Sequence, residues 1–349
     1  MTIDLASVRR LVVAPPNWLG DAVLALPAMA AVRRAAPQAH LTIAAAPAVS
    51  AVFREVTDVA PDAVLDLPGG QAATTAALAA GRFELAVLFP NSFGSAWRYR
   101  RAGVPGRWGY AAAGRSLLLT RRVRRPRRRD ARHMIDYYRS LVRGLSVEVG
   151  DEPPRLAASP ESLRAADRLL AGGGGAGRQR LVVVAPGAAY GQAKQWPPDR
   201  MAALVARLVA RGDTACAVVG AAHDRPAARA LESWLRAHAP ASLVHVADLV
   251  GRTSLGALVG VTARADVFVS NDSGAMHLAA ALGRPVVAIF GPTDERATGP
   301  IGAHDVISEP VFCRPCLLRD CPIDHRCMKR ITVDRIAAAV TARVEAARP

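Results

Sequence analysis

The pattern of hydrophobic positions is clearest between residues 265 and 293, where two apolar runs flank a turn and an apolar helix. It predicts strands at Val267–Ser270 and Val286–Phe290, a turn at Asn271–Gly274 and a helix at Ala275–Leu282. Asp272 or Ser273 is expected to cap this helix, whose free N–H groups and positive dipole end then face outward. The turn is a candidate anion site, but a plain capped unit with a satisfied His277 would show the same pattern.

Similar alternation of strands and helices covers the rest of the chain, and it occurs twice. The segment Arg180–Pro186 (RLVVVAP) echoes Arg10–Pro15 (RLVVAP), and each is followed by a loop, a helix and another strand. Further strands are predicted at Leu41–Ala45, 63–67, 85–89, Ala215–Gly220 and 244–246; helices are predicted at Ala22–Ala36, His133–Leu145, Glu161–Leu170, Met201–Arg211, Leu255–Ala263 and Val333–Ala347. The fold class is therefore α/β, with two doubly wound parallel sheets.

A glycine-rich stretch, Ala171–Gly177 (AGGGGAG), separates the two halves. We expect an N-terminal domain at 1–170, a linker at 171–179 and a C-terminal domain at 180–349. Two such halves are expected to face a cleft, where ligands bind preferentially.

Two side chains follow the first strand of each half. Asp21 ends the loop PPNWLGD, which has no G-x-G-x-x-G dinucleotide motif, and Lys194 lies in the loop GAAYGQAKQWP. Open α/β sheets bind ligands at the carboxyl ends of their strands, so Asp21 is a candidate functional carboxylate and Lys194 a candidate phosphate contact. A helix N-cap at Asp21 and an exposed loop lysine at Lys194 are the alternatives.

Composition indicates a soluble, cytoplasmic protein. The chain has 349 residues, of which 51% are hydrophobic, and it contains no uninterrupted apolar run of the roughly 18 residues that a membrane-spanning helix needs. The start resembles a signal peptide, but Pro15, Pro16, Asn17 and Asp21 interrupt its apolar stretch.

The strong positive charge of the chain indicates a negatively charged binding partner. The formal net charge is +16, and the segment Arg121–Arg132 holds eight arginines against the single acid Asp130. Nucleic acid, an anionic lipid surface or a phosphorylated substrate could pair with this arginine run, and a solvated loop is the alternative. No aromatic residue is interleaved with the arginines, so nucleic acid is the least favoured partner.

Four of the five cysteines crowd into one segment. Cys313, Cys316, Cys321 and Cys327, with His325 among them, have ligand-like spacing, whereas Cys216 is predicted to be a buried strand residue. A structural metal and reduced thiols in a loop both fit this spacing, and a disulfide is not expected in the cytoplasm.

Four motifs together resemble glycosyltransferase family 9, the ADP-heptose:lipopolysaccharide heptosyltransferases. They are PNWLGD (16–21), PGAAYGQAKQWP (186–197), SNDSGAMHLAAALGRPVVAIFGPT (270–293) and CRPCLLRDCPIDHRCM (313–328). The resemblance implies a GT-B fold with two Rossmann-like domains, the first holding mainly the acceptor and the second the nucleotide sugar, and a final helix that packs back. It also implies inverting transfer of L-glycero-D-manno-heptose from ADP-heptose to the lipid A–Kdo/heptose inner core, at the inner face of the inner membrane.

The resemblance also implies roles for single residues. The family's general base aligns with Asp21, and Lys194 and His277 would stabilise the leaving diphosphate. Donor binding is assigned to Asp272, Ser273, Gly274, His277 and Thr293. We expect Arg124, Arg125, Arg127 and Arg128 to bind the anionic acceptor or the membrane surface. The chain has no D-x-D triplet to bridge a metal to a diphosphate, so neither a metal nor a cofactor is expected.

Two other functions fit the same pattern. One is a GT-B transferase that uses another nucleotide sugar; the other is a non-catalytic, arginine-rich protein that binds a nucleotide or RNA. Asp21 separates them from each other, because catalysis requires this carboxylate and binding does not.

Overall fold

Two parallel sheets, each of six strands, form the framework of the chain. The computed structural model describes residues 4–126, 133–172 and 180–346. Contacts divide the chain into two compact units, Met1–Leu156 and Ala157–Pro349, which are described in turn.

The first unit contains seven strands and six α-helices among its described residues. The strands are β1 (Arg10–Ala14), β2 (His40–Ala45), β3 (Val56–Thr57), β4 (Ala63–Asp66), β5 (Leu85–Leu88), β6 (Gly106–Ala111) and β7 (Arg121–Arg124). The helices are α1 (Leu19–Leu24), α2 (Leu26–Ala35), α3 (Pro47–Ser50), α4 (Gln71–Ala80), α5 (Phe93–Arg101) and α6 (Met134–Gly144), with 3₁₀ turns at Leu5–Ser7, Ala51–Arg54 and Arg115–Leu118.

The sheet of this unit has the strand order β4-β2-β1-β5-β6-β7, and its neighbouring strands run parallel. If the short β3 is set aside, this is the order of dinucleotide-binding folds. The central strand β1 is fully buried at Leu11, Val12 and Val13, since helices cover both faces of such a sheet.

Two features of this unit differ from the sequence-based predictions. The single helix predicted at Ala22–Ala36 is two helices, because Pro27, in the first turn of α2, has no amide hydrogen to donate and so interrupts the helical hydrogen bonds. Strands β6 and β7 were not predicted, because their sequences, GRWGYA and RRVR, have no apolar run. Strand β7 lies at the edge of the sheet, where charged side chains are common.

The second unit repeats the arrangement. Strand β8 (Leu156–Ala157) spans the boundary, and the others are β9 (Arg180–Ala185), β10 (Thr214–Val218), β11 (Val246–Asp248), β12 (Val267–Asn271), β13 (Val286–Phe290) and β14 (His304–Ser308). The helices are α7 (Pro160–Ala171), α8 (Pro198–Val209), α9 (Arg225–His238), α10 (Leu255–Ala263), α11 (Gly274–Ala281), α12 (Glu295–Thr298), α13 (Arg326–Lys329) and α14 (Val333–Ala346), with 3₁₀ turns at Gln192–Lys194, Ala222–Asp224 and Pro240–His245. The sheet order β11-β10-β9-β12-β13-β14 matches that of the first sheet.

The boundary between the units precedes helix α7. The sequence placed it after residue 170, whereas the contacts assign α7 to the second unit. The reason is the packing of α7 on α10, which buries Ser162 and Ala166 and brings the Ser162 carbonyl against Gly260. Of the predicted linker, residues 173–179 lie outside the described part of the chain.

The final helix α14 packs on α8 of its own unit and buries Ile336, Val340 and Val344. Its predicted packing back across both domains stays a prediction. Within the described residues, no helix combines the length and apolar character needed to cross a membrane.

Candidate active site

Four of the predicted site residues, Asp21, Lys194, Asp272 and Ser273, lie at the two points where strand order reverses. In the first unit this point is between β1 and β5, and in the second it is between β9 and β12. The connections that leave these strands at their carboxyl ends diverge to opposite sides of the sheet, which opens a crevice for ligands. Asp21 follows β1, Lys194 follows β9, and Asp272 and Ser273 follow β12.

Asn271, the last residue of β12, hydrogen-bonds to both ends of the loop that follows β9. Its Nδ2 donates to the carbonyl oxygens of Pro186 and Gly187 over 2.8 and 3.3 Å, and its Oδ1 accepts from the Trp196 amide over 3.0 Å. Asn271 is fully buried, so these bonds satisfy an amide that would otherwise be costly. Sequence analysis assigned Asn271 no role of its own, although a polar amide at the end of an apolar strand is itself a signal of such a junction.

Lys194 and Asp272 meet directly at this point. The Lys194 ammonium lies 2.6 Å from Oδ2 of Asp272, and the same oxygen accepts from the Thr293 hydroxyl over 2.6 Å. The Lys194 side chain is 13% exposed and that of Asp272 6%. The structure thus brings together Lys194 of one motif with Asp272 and Thr293 of another, and it places a cation beside the turn that begins α11.

The predicted capping of helix α11 is wrong in detail. Ser273 is the N-cap residue but makes no side-chain bond to the helix, because its hydroxyl lies 2.9 Å from that of Ser270. Asp272 is engaged with Lys194 and Thr293 instead. No side chain caps α11, whose first turn begins at Gly274, and within that turn the Met276 amide donates to the Ser273 carbonyl over 3.2 Å. An anion is the ligand that such a helix N-terminus favours. His277 lies in this turn and is buried.

Aromatic and basic side chains that the sequence did not single out surround Lys194. Its ammonium lies 4.7 Å from the centre of the Tyr190 ring, and the Arg319 guanidinium lies 5.3 Å from the same ring. The Tyr190 hydroxyl donates to the Leu317 carbonyl over 2.8 Å. The site is therefore rich in positive charge on the side of residues 313–327, which carry four cysteines and are called the cysteine segment here.

The cysteine segment hydrogen-bonds to the loops that follow β9 and β13. The Arg319 carbonyl accepts from the Ala193 amide over 2.8 Å, and His325 Nε2 lies 2.8 Å from the Ala193 carbonyl. Arg314 donates to the carbonyls of Gly291 and Thr293 over 2.6 and 3.1 Å. These contacts hold the ends of the β9 and β13 loops, a role that requires no particular chemistry of the thiols.

All five cysteines are free thiols. Cys313, Cys316 and Cys321 are partly exposed, while burial, followed by the nearby thiols of these three, raises the pKa of Cys327. Across the described ranges, no group of three or more cysteine, histidine or acidic side chains is arranged to hold a metal ion. Cys216 lies buried in β10 as predicted, and burial raises its pKa to about 12.

In the first unit, Asp21 is the third residue of helix α1. Trp18 is the N-cap residue, so the alternative interpretation of Asp21 as an N-cap is wrong. Oδ1 of Asp21 accepts a hydrogen bond from the Tyr138 hydroxyl over 3.0 Å. Asp21 thus lies beside helix α6, at the carboxyl end of β1.

The neighbouring Tyr137 connects this place to Arg125 of the arginine run. Its hydroxyl accepts from Asn91 Nδ2 over 2.6 Å, its carbonyl accepts from the Tyr110 hydroxyl over 2.6 Å, and the Arg125 guanidinium lies 5.6 Å from its ring centre. Asn91 follows β5, the other strand at the reversal point. Arg125 is therefore close to the groups that surround Asp21.

The arginine run begins as strand β7 and not as a loop. Arg124 ends this edge strand, and both Arg124 and Arg125 are exposed. Arg127 and Arg128, which were also predicted to bind the acceptor, lie outside the described residues.

Comparison with solved structures identifies the fold. The structure of E. coli ADP-heptose LPS heptosyltransferase II superimposes with a TM-score of 0.82 at 24% identity, covering 97% of this chain and 99% of that one. Two Rossmann-like units with six-stranded parallel sheets are the architecture of GT-B glycosyltransferases, so the predicted fold is confirmed.

Sequence comparison identifies the family within that class. The model of glycosyltransferase family 9 (heptosyltransferase) matches residues 72–326. The chain is 31% identical to lipooligosaccharide heptosyltransferase 2 of Haemophilus influenzae over 229 residues, which are 63% of this chain and 64% of that protein. It is 27% identical to the corresponding enzyme of Haemophilus ducreyi over 85% of this chain and 88% of that one. The chain belongs to glycosyltransferase family 9 (heptosyltransferase).

Proposed function

We propose that the protein transfers L-glycero-D-manno-heptose from ADP-heptose to the inner core of lipopolysaccharide, with inversion and without a metal. The observation that carries the proposal is the meeting of Lys194, Asp272 and Thr293 at the N-terminus of α11. A cation beside an uncapped helix N-terminus suits a diphosphate, which is the charged part of an ADP-sugar. The family and the named relatives support heptose as the sugar.

In the proposed reaction, Asp21 takes the proton of the acceptor hydroxyl as its oxygen attacks the anomeric carbon of the heptose. The bond between that carbon and the diphosphate oxygen breaks on the opposite face, so the configuration inverts and ADP leaves. Negative charge develops on the leaving diphosphate, and Lys194, His277 and the first amides of α11 stabilise it. The second unit is the donor domain in this proposal, and the first unit, with Asp21, is the acceptor domain.

The acceptor side of the proposal rests on charge. Lipid A and the inner core carry phosphate and carboxylate groups, and the leaflet around them is anionic. The exposed Arg124 and Arg125 belong to the run of eight arginines, and Arg125 lies close to the groups around Asp21. Peripheral attachment at the inner face of the inner membrane would bring this run to the acceptor.

The substitution Asp21→Asn tests the reaction. It removes the base but keeps the shape of the side chain, so donor-dependent release of ADP in the presence of acceptor should fall by about a hundredfold or more, with donor affinity nearly unchanged. Asp58→Asn, at an exposed aspartate of the same unit, is the matched control. Wild-type turnover in Asp21→Asn would contradict the mechanism; release of UDP from a UDP-sugar, with none of ADP from ADP-heptose, would favour a transferase with another donor.

Chelation tests the independence from metal. Because Lys194 and the helix N-terminus are proposed to stabilise the diphosphate, transfer should be unchanged after dialysis against EDTA. A matched reaction with added Mg²⁺ serves as the control. Loss of transfer on chelation, with recovery on adding back one divalent cation, would contradict this part of the proposal.

A further inference from the structure

Helix α6 places its fifth residue, Tyr138, directly against Asp21. The Tyr138 hydroxyl donates to Oδ1 of Asp21 over 3.0 Å, and the whole residue is 4% exposed. Its ring packs on that of Phe89, which follows β5, with ring centres 6.0 Å apart. Tyr138 therefore links helix α6 to both strands of the reversal point and is held by packing as well as by its hydrogen bond.

The environment of this phenol keeps it a hydrogen-bond donor. Burial, and then the charge and hydrogen bond of Asp21, raise the pKa of Tyr138 well above its ordinary value. The phenol is therefore protonated throughout the neutral range. A hydrogen bond donated to a carboxylate stabilises the charged form, which is the form that accepts a proton.

We propose that Tyr138 is a positioning residue that orients the Asp21 carboxylate toward the acceptor hydroxyl and keeps it deprotonated. This rests on the proposed function, in which Asp21 is the general base. Tyr138 touches neither substrate in this scheme and acts only through Asp21.

The substitution Tyr138→Phe removes the hydroxyl and keeps the ring that packs on Phe89. We expect kcat to fall about tenfold, because a base that is free to turn is less often in the reactive geometry. The KM for the acceptor should change less than about twofold, and the affinity for ADP should stay unchanged because the donor groups belong to the second unit.

The pH profile separates positioning from a purely structural role. Without the donated hydrogen bond the charged carboxylate is less favoured, so the pKa of Asp21 rises and the acidic limb of kcat/KM moves upward by about 0.5 to 1 pH unit. The pH of this acidic limb does not depend on how much of the enzyme is folded, so a purely structural loss of active enzyme would not move it. Other titratable and charged groups near the pair are Tyr110, Tyr137, Arg125, His133 and the Arg139–Asp136 ion pair; Tyr138→Phe leaves these side chains in place.

Tyr99→Phe is the matched control. Tyr99 is also buried in the first unit, and its hydroxyl has no hydrogen-bond partner within the described residues. This variant should keep both kcat and the pH profile of the wild type. Wild-type kcat and an unmoved acidic limb in Tyr138→Phe would overturn the positioning role, while an inactive Asp21→Asn would leave the proposed function standing. Full activity of Asp21→Asn would overturn both.

Discussion

Lys194 is one of only two lysines in a chain whose basic residues are otherwise arginine. Its compact ammonium is held between the Asp272 carboxylate and the Tyr190 ring, at 2.6 and 4.7 Å. An ammonium acts as a point charge that can turn from one anionic oxygen to another, whereas a guanidinium binds in a fixed fork. This suits a site in which a cation faces a protein carboxylate before the diphosphate arrives.

Removal of Lys194 or His277 should therefore weaken donor binding. We expect Lys194→Ala and His277→Ala each to weaken ADP binding and slow transfer, by about 1–3 kcal/mol apiece. Calorimetric titration with ADP measures the first effect. Lys329→Ala, at the only other lysine, should bind ADP like the wild type.

A second variant guards against misfolding. Lys194→Ala leaves the buried Asp272 carboxylate with the Thr293 hydroxyl but without its cation, which costs stability. The double variant Lys194→Ala/Asp272→Asn removes that unpaired charge and should still bind ADP weakly. Unchanged ADP affinity in both Lys194→Ala and His277→Ala would refute the assignment.

Among single residues, those that belong to short sequence motifs could be predicted from the sequence. Those whose role comes from a contact with a residue far away along the chain could not. Asp21, Lys194 and Asp272 follow strands whose apolar runs are plain, so the strand ends locate them. Tyr138 was part of a predicted helix, but nothing in its neighbourhood along the chain indicates that it meets Asp21, 117 residues away. The hydrogen bonds of Asn271 likewise exist only once β9 and β12 are paired.

Among the elements, helix α7 shows how one glycine decides which unit a segment joins. A Cβ atom on Gly260 would overlap the Ser162 carbonyl and touch Ala166, both on α7. The absence of a side chain at Gly260 therefore lets α7 lie close against α10. The sequence placed α7 with the first domain because the glycine-rich stretch follows it, and such stretches mark flexibility but not which neighbour a helix prefers.

Gly260→Ala should loosen this contact. Because the obstructing atom is backbone and not a movable side chain, we expect the free energy of unfolding of the full chain to fall by about 1–3 kcal/mol. Thermal or urea unfolding measures the change. Gly172→Ala is the control, since its Cβ would come no closer than 3.8 Å to the Arg168 carbonyl. Equal stability of Gly260→Ala and the wild type would show that α7 does not depend on this close approach.

Strands were predictable where their sequence is a continuous apolar run. Strands β9, β12 and β13 carry continuous apolar runs because helices cover both faces of a parallel sheet. Strand β7 has only Val123 between arginines and lies at an edge, where pairing on one side suffices to form it. A charged edge strand of this kind cannot be told from a loop by hydrophobic pattern alone.

For the whole molecule, the repeat of RLVVAP and RLVVVAP predicted two similar halves, and the two sheets confirm it with the same strand order. The repeat is informative because each copy is the central strand β1 or β9, from which the rest of its sheet extends. The second half has no arginine-rich segment to match the arginine run, although β14 takes the position of β7 in its sheet. The role of the run is therefore considered together with the charge of the whole molecule.

The net charge of +16 makes association with anionic surfaces the expected property of the whole chain, and the arginine run should carry much of it. Neutralising Arg124, Arg125, Arg127 and Arg128 together removes four positive charges. We expect a higher KM for the acceptor and weaker binding to vesicles of anionic lipid, with the loss greatest at low salt because screening is weakest there. The affinity for ADP should not change, since the donor groups belong to the second unit.

A control of equal charge separates the position of the arginines from their number. Neutralising Arg207, Arg211, Arg229 and Arg236, four exposed arginines of the second unit, changes the net charge by the same amount. If charge alone mattered, both variants would lose vesicle binding and acceptor affinity equally; if the arginine run holds the acceptor, only the first variant loses acceptor affinity. Wild-type acceptor kinetics and vesicle binding in the first variant would leave the run as a solvated surface. Stronger competition by RNA than by lipid A, with no measurable sugar transfer, would instead favour a nucleotide- or RNA-binding protein built on the same fold.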